Sequence, residues 1–206
     1  MSVLLSTQSL CCEIDDRLLV DHLNLQLHEG EIHQIEGPNG SGKTTLLRIL
    51  CGLSTRFKGE IFWRGQAVQQ LRHDYLCELL YLGHKPGIKA LLTVRENLQW
   101  HAAVKGMVDD VAIERALAKV GLYGYEDSPC FSLSAGQQRR VGLARLFLKH
   151  TPLWVLDEPF TAIDKTGVAD LESWIQQHAE QGGSVLLTTH HELTINQSLK
   201  KVVLNG

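Results

Sequence analysis

The chain has no excess of positive charge, no long apolar run, no internal repeat and no paired-cysteine motif. Each absence closes off a class of function. Lys and Arg total 20 against 23 Asp and Glu, a formal net charge of −3. A nucleic-acid-binding domain usually leaves a strongly basic footprint, so no nucleic-acid partner is expected. No apolar run approaches the ~20 residues that a membrane helix requires. The opening residues Met1-Ser2-Val3-Leu4-Leu5-Ser6 place no basic residue ahead of a long apolar stretch, so no secretory signal is expected. The five cysteines (Cys11, Cys12, Cys51, Cys77 and Cys130) are odd in number and form no C-x-x-C pair. They are expected to be buried thiols in a reducing compartment. The absence of C-x-x-C-H excludes a c-type cytochrome.

What is present is ordinary in bulk. With 206 residues, 44% apolar and 21% charged, the chain is one domain or one domain with an inserted subdomain. It can bury roughly 70% of its unfolded surface, enough for a full α/β core. The local pattern predicts a strand over Leu18–Leu27 preceded by an Asp15-Asp16 turn, and a strand over Glu31–Glu36. That second strand is unusually polar at His33, Gln34 and Glu36 for a buried parallel strand. Edge exposure is the plain explanation; a polar network behind the next loop is the alternative. A helix over Lys43–Leu50 ends at Gly52, and Gly59–Trp63 and Leu79–Gly83 read as strands. Thr93-Val94-Arg95-Glu96 is a capping box opening a helix to about Val104. Asp109-Asp110 start another, with Ile113, Leu117 and Val120 on one face and Gly121 as its stop. From Leu153 the order is strand, helix (Asp164–His178), turn (Gly182-Gly183), strand (Ser184–Thr189) and a last strand over Lys200–Leu204.

Three segments carry chemistry. Gly37-Pro38-Asn39-Gly40-Ser41-Gly42-Lys43-Thr44, followed by Thr45, matches the G-x-x-x-x-G-K-[ST] phosphate loop. Its glycines let the backbone approach phosphate without Cβ clashes, and the following helix presents its positive end. Lys43 is placed to reach the β- and γ-phosphates and Thr44 to hold Mg²⁺. Asp157 ends the apolar run Leu153-Trp154-Val155-Leu156, where a carboxylate is unfavourable unless it serves a cation. It is therefore expected to serve Mg²⁺ beside Thr44, either as a direct ligand or through a metal-bound water. Finally, Ser134, Ala135 and Gly136 open a helix, where a hydroxyl and bare N–H groups make an anion site. Arg139-Arg140 within it read as a solvated helix face.

The segment Leu133-Ser134-Ala135-Gly136-Gln137 resembles the signature of ATP-binding-cassette (ABC) ATPases. The order and spacing of the phosphate loop, Asp157-Glu158 and Thr189-His190 agree with that family over nearly the whole chain. The resemblance implies an α/β P-loop NTPase fold: a RecA-like mixed sheet with an antiparallel β edge and an inserted helical subdomain. The core would be residues 1–83 and 150–206, the helical subdomain about 84–149. It implies that Glu158 polarises the attacking water and that His190 contacts the γ-phosphate and Glu158, completing a catalytic set with Lys43. It implies that Ser134, Ala135, Gly136 and Gln137 close over the ATP of a second copy in a head-to-tail dimer. Phe160-Thr161-Ala162-Ile163-Asp164 resembles the family's D-loop. Two positions depart from the family: His84 stands where a Gln usually senses nucleotide, and no aromatic residue lies near Ile14, where adenine is usually stacked. Weaker adenine stacking and poorer base selectivity are expected.

Within the family, Gly83-His84-Lys85-Pro86-Gly87-Ile88-Lys89 and Leu156-Asp157-Glu158-Pro159-Phe160-Thr161-Ala162-Ile163-Asp164 resemble the CcmA group of cytochrome c maturation ATPases, as does the compact length. That resemblance implies the ATPase subunit of an inner-membrane complex for haem export or delivery, peripheral on the cytoplasmic face. Separate membrane subunits (CcmB-like, with CcmC and CcmD) would be its partners, and Mg²⁺ with ATP its cofactor and substrate. Two other readings stand beside it. A soluble ABC ATPase acting on nucleic acid or ribosomes usually carries two cassettes or a coiled-coil insertion, and neither is present. A nucleotide-gated module that does not hydrolyse is opposed by Glu158 and His190.

Overall fold

Five parallel strands in the order β10-β4-β9-β8-β7 form the centre of the computed structural model, which describes residues 2–103, 106, 108–195 and 199–204. They are β4 (Ile32–Glu36), β7 (Leu79–Leu82), β8 (Leu153–Asp157), β9 (Ser184–Thr188) and β10 (Leu199–Val203). Every residue of β8 and β9 is buried, as expected where both faces of a parallel sheet are covered. Because the strands run the same way, the loops after β4, β7, β8 and β9 all leave from one edge of the sheet. That edge is where α/β proteins assemble their sites.

A second, antiparallel sheet lies beside it. It contains β1 (Val3–Ile14), β2 (Arg17–Leu23), β3 (Gln26–His28), β5 (Lys58–Trp63) and β6 (Gln66–Ala67). The Asp15-Asp16 turn is as expected: both residues take left-handed φ, 50° and 59°, which a two-residue hairpin turn requires. The strand expected over Leu18–Leu27 is instead two, β2 and β3. Both pair with β1, at opposite ends of that strand, and the chain crosses between them where Leu25 bonds Thr7 through backbone and hydroxyl. Strand β1 itself had no sequence signal, because register shifts at Leu10–Glu13 break its alternation. The short helix α2 (Arg72–Glu78) was also not anticipated.

Helix α1 (Lys43–Leu50) matches its expected range. Between β7 and β8 come α3 (Val94–Ala103), α4 (Asp110–Lys119) and α5 (Ala135–Ala144), with short 3-10 turns at Cys130–Ser132 and Arg145–Phe147. The capping box at α3 is formed: Glu96 accepts the Thr93 N–H at 2.7 Å and the Thr93 hydroxyl accepts the Glu96 N–H at 3.2 Å. The expected helix end at Val104 lies outside the described residues. Asp109 caps α4, and Gly121 turns the chain after it with φ 71°. α6 runs Lys165–Glu180, capped by Asp164.

Two apolar clusters fill the space. One joins α3, α4, α5 and α6 to one face of the parallel sheet through Leu98, Leu117, Leu143, Leu156 and Ile175. The other packs α1 between the two sheets through Leu5, Leu27, Leu47 and Leu186. Of the five thiols, Cys12, Cys51 and Cys130 are buried as expected, whereas Cys11 and Cys77 are partly exposed.

The polar strand β4 is not an edge strand; it lies between β10 and β9, and each of its polar side chains has a partner, although His33 Nδ1 stays buried without one. His33 meets Glu31 at 2.9 Å, Gln34 donates to the Thr189 carbonyl at 3.4 Å and Glu36 pairs with Lys201 at 2.7 Å. Burial alone would raise the Glu31 carboxyl, but hydrogen bonds from Lys200, the His28 backbone and His33 outweigh it and hold it at about 2. At the far end of α6, His178 stacks on Trp154 at 3.8 Å. Burial, then the charge of His150, lowers its pKa to about 4; burial and the charges of Arg145 and Lys89 lower His101 likewise to about 4.

These shifts set an acid stability profile. A histidine with a depressed folded pKa takes up its proton more readily when unfolded, so its stability contribution is present above about 6.5 and declines toward pH 4. Glu31 contributes stability that is lost as pH falls from about 4.5 through 2. Urea midpoints should therefore decline through two overlapping acid windows. His178→Phe should make the upper window shallower, leaving the share of His101, and leave the lower one unchanged, read by denaturation at pH 7, 5 and 3.

Candidate functional site

The loop after β4 leaves no room for a side chain at two of its glycines. At Gly37, φ is 152° and an added Cβ would lie 2.5 Å from Ser41 Oγ and 2.7 Å from the Leu204 carbonyl. Gly42, the N-cap of α1, has φ 93°, and a Cβ there would meet Leu19 Cβ at 2.8 Å. Because that N-cap has no side chain to accept from the helix, the first N–H groups of α1 stay available to an anion. Lys43 Nζ donates to the Gly37 and Pro38 carbonyls at 2.7 and 3.0 Å, so the ammonium curls back over the loop.

Asp157 at the end of β8 is 1% exposed. Its Oδ1 accepts from the Thr44 hydroxyl at 3.1 Å and the Thr188 hydroxyl at 2.8 Å, while Oδ2 is buried without a hydrogen bond. An orphaned buried carboxylate oxygen beside a Thr hydroxyl fits a divalent cation. Burial, then the negative field of Asp157, pushes the Tyr81 phenol up to about 12.

Glu158 takes a left-handed conformation, φ 49°, which is unfavourable for a residue with a Cβ and persists only where its surroundings hold it. Here they do. Its N–H donates to the Thr188 carbonyl at 3.1 Å and to the Thr188 hydroxyl at 3.0 Å, and its carbonyl accepts from Thr161 Oγ1 at 2.9 Å. The turn aims the side chain at His190, whose Nε2 lies 3.6 Å from Glu158 Oε1. The carboxylate is largely sheltered, 18% exposed, and the imidazole open, 64%. His191 is turned away to Glu172 at 3.1 Å, so of the two histidines His190 is the one that faces Glu158.

A cleft of about 460 Å³ gathers Asn39, Gly40, Gly42, Lys43, Thr44, Thr45, His84, Asp157, Glu158 and His190. A neighbouring hollow of about 530 Å³ shares Lys43 and His190 and reaches Gly37. Pro38 borders the site through its carbonyl contact with Lys43, and Ser41 is buried beneath the loop. Ser134, Ala135, Gly136 and Gln137 do not line this cleft. Ser134 caps α5 in a reciprocal box, accepting from the Gln137 N–H at 3.2 Å while Gln137 Oε1 accepts the Ser134 N–H at 2.9 Å. Gly136 instead lies near the loop after β8: a Cβ there would sit 3.4 Å from the Ala162 carbonyl.

One expectation is overturned. Arg139 is not on a solvated face; it is 4% exposed. Its guanidinium donates to the carbonyls of Gly83 and His84 at 3.1 and 3.2 Å, of Glu158 at 2.8 Å and of Pro159 at 3.3 Å. It thus ties α5 to the loops that carry His84 and Glu158. The signal for this was in the sequence: Gly142 and Leu143, three and four residues on, place Arg139 on the buried side of the helix. Arg140 faces out and pairs with Asp164 at 2.9 Å.

A family model described as "ABC transporter" matches residues 20–161. A protein from Hahella chejuensis named "Cytochrome c biogenesis ATP-binding export protein CcmA" is 54% identical over 203 residues, covering 98% of this chain and 96% of its own. A protein of the same name from Vibrio cholerae is 53% identical over 203 residues, covering 98% of each. Among solved structures, a putative ABC transporter ATP-binding protein from Pyrococcus furiosus superposes with a TM-score of 0.82 at 25% identity, covering 97% of this chain and 96% of that one. A dimeric ATP-binding cassette in a post-hydrolysis state with ADP and Pi superposes at 0.81 with 23% identity, covering 91% and 88%.

Proposed function

The chain belongs to the ABC transporter family, and on that premise we propose that it is the ATP-hydrolysing subunit of a bacterial inner-membrane complex that exports or delivers haem for c-type cytochrome biogenesis. The chemical half of this reading rests on one observation: four separate loops bring Lys43, Asp157, Glu158, His84 and His190 to a single cleft. The biological half rests on the likeness, along almost the whole chain, to proteins named for cytochrome c biogenesis and export.

The residues divide the work as follows. Gly37 to Thr45 hold the phosphates, with backbone N–H groups of the loop and of α1 supplying donors and Lys43 the balancing charge. Thr44 and the free oxygen of Asp157 would hold Mg²⁺, which supplies charge neutralisation at the β- and γ-phosphates when bound. Glu158 orients and polarises the attacking water, and His190, across 3.6 Å, steadies Glu158 and reaches the γ-phosphate. His84 stands in for the usual glutamine at the loop after β7. The segment Ser134–Gln137 acts in trans, its helix start closing over the ATP of a second copy, because it lies off the chain's own cleft. Functionally the chain divides into a core of residues 1–83 and 150–206 and a helical part, about 84–149. Its partners are separate membrane-spanning subunits, CcmB-like with CcmC and CcmD, and it works at the cytoplasmic face. No described helix is long and apolar enough to cross a membrane.

Complementation tests the whole reading. In a strain lacking this gene, c-type cytochromes seen by haem staining should vanish and return with the wild-type gene. The Ser134→Arg form should bind ATP in its own cleft yet neither hydrolyse it nor restore cytochromes, because the added cation occupies the space for the partner's phosphates. Normal cytochromes in the deletion strain would remove the haem role. Normal turnover by Ser134→Arg would remove the in-trans dimer.

A further inference from the structure

We propose that the bulged β1–β2 hairpin carries a binding site for a thiolate-preferring divalent cation, Zn²⁺ in the first instance, built by Cys11, Asp21 and His22. None of the three lines the cleft around Lys43, and the site does not depend on the function proposed above.

The convergence comes from strand register. Leu10 faces Leu23 and Cys12 faces Val20, so Cys11 alone stands opposite the pair Asp21-His22. Neighbouring side chains in a regular strand point to opposite faces. An extra residue in one strand breaks that rule and lets two neighbours address one partner. The backbone shows the distortion: His22 has φ 42° and Ser9, two residues before Cys11, has φ 48°. Across the bulge, the His22 N–H donates to Cys11 Sγ at 3.2 Å, and His22 Nδ1 lies 2.6 Å from Asp21 Oδ1.

One ligand atom from each of the three residues lies within 4.8 Å of the other two. In a tetrahedral zinc site with bonds of about 2.0–2.3 Å, ligand atoms stand about 3.3–3.8 Å apart. Closing the difference takes about 1 Å of side-chain movement. The imidazole and carboxylate are 76% and 65% exposed, so nothing packed resists their rotation. The set of thiolate, imidazole and carboxylate suits Zn²⁺ and is poorly matched to Mg²⁺, which separates it chemically from the Thr44–Asp157 pair. The open hollow of about 760 Å³ beside it also holds Glu13, Asp15 and Asp16, leaving room for water or a second carboxylate as the fourth ligand; Arg56 and Lys58 also line it. A bound ion would staple β1 to β2. The same hairpin presents Leu19 to Gly42 of the phosphate loop, so the staple would brace the wall behind that loop.

Zinc binding by the full chain, with excess Mg²⁺ and no nucleotide, tests this. The wild type should hold one equivalent of Zn²⁺ against a chromophoric chelator, and its Co²⁺ form should show thiolate-to-metal absorption. Cys11→Ser and His22→Ala should each weaken Zn²⁺ binding by more than about 100-fold, beyond what loss of an outer-shell partner does. Both should abolish or perturb the cobalt spectrum while ATP binding stays normal. Cys77→Ser, which removes the thiol 3.8 Å from His73, should change neither. No zinc retained by the wild type, equal retention by the Cys11 and His22 variants, or loss in Cys77→Ser would each overturn the site.

Discussion

Glu158→Gln should trap the protein with ATP bound and two chains closed on each other. The substitution keeps the size and hydrogen-bonding capacity of the side chain and removes its negative charge. The backbone at position 158 should hold, because its left-handed turn is secured by main-chain bonds to Thr188 and by Thr161 Oγ1, none of which involves the carboxylate. Phosphate binding should also hold, since Lys43, Thr44 and Asp157 are untouched. What goes is the carboxylate facing His190, the group proposed to orient water. Loss of such a group costs on the order of 10²–10⁴ in rate. Sizing chromatography with Mg-ATP should then show a species of two chains for the variant and mainly single chains for the wild type. In cells the variant should stay at the membrane and fail to support c-type cytochromes. Hydrolysis within a few-fold of wild type would take Glu158 out of the catalytic role.

Arg139→Ala should lower both stability and turnover, for one physical reason. The guanidinium is the donor for four carbonyls in a buried position. Removing it leaves several of them unpaired, at about 1–3 kcal/mol for each group that water cannot reach. Small relaxations will re-pair some, so a loss of about 3–5 kcal/mol is expected, the range for breaking a buried charged network. For a domain of this size that is a fall in Tm of about 6–20 °C. Well below that Tm, kcat should drop while KM for ATP changes little. Among the described residues Arg139 makes no hydrogen bond to the phosphate loop, whereas the backbones of His84 and Glu158 are hydrogen-bonded to it. Arg139→Lys should keep the charge but lose the fork, recovering only part of either effect. Wild-type kcat in a destabilised Arg139→Ala would show that Arg139 acts on stability alone.

Much of the site was legible in the chain because its chemistry is local. A phosphate loop is a run of glycines whose backbone freedom is written in consecutive residues, followed at once by the helix that supplies its donors. The α1 range, the capping box at Thr93 and the helix starts at Asp109, Ser134 and Asp164 all depend on contacts within four residues, and all are formed. Asp157 could be singled out because a carboxylate closing an apolar strand is unfavourable unless a partner compensates it.

The rest required the fold, because it depends on residues far apart in sequence. Polar β4 resembles an edge strand until the sheet order puts it between β10 and β9, where Gln34 supports Thr189 from 155 positions away. The long strand β1 is hidden by its own bulges, whose meaning appears only against β2. Arg139 looks like half of a solvated charge pair until its partners from two loops, after β7 and after β8, reveal a buried clamp. The sequence by itself singled out the phosphate-loop pattern and the carboxylate proposed to serve a cation, since consecutive glycines and a charge closing an apolar run are visible in adjacent residues. The tertiary structure alone decided which of them face each other, since buried polar groups must find partners wherever the packed chain supplies them.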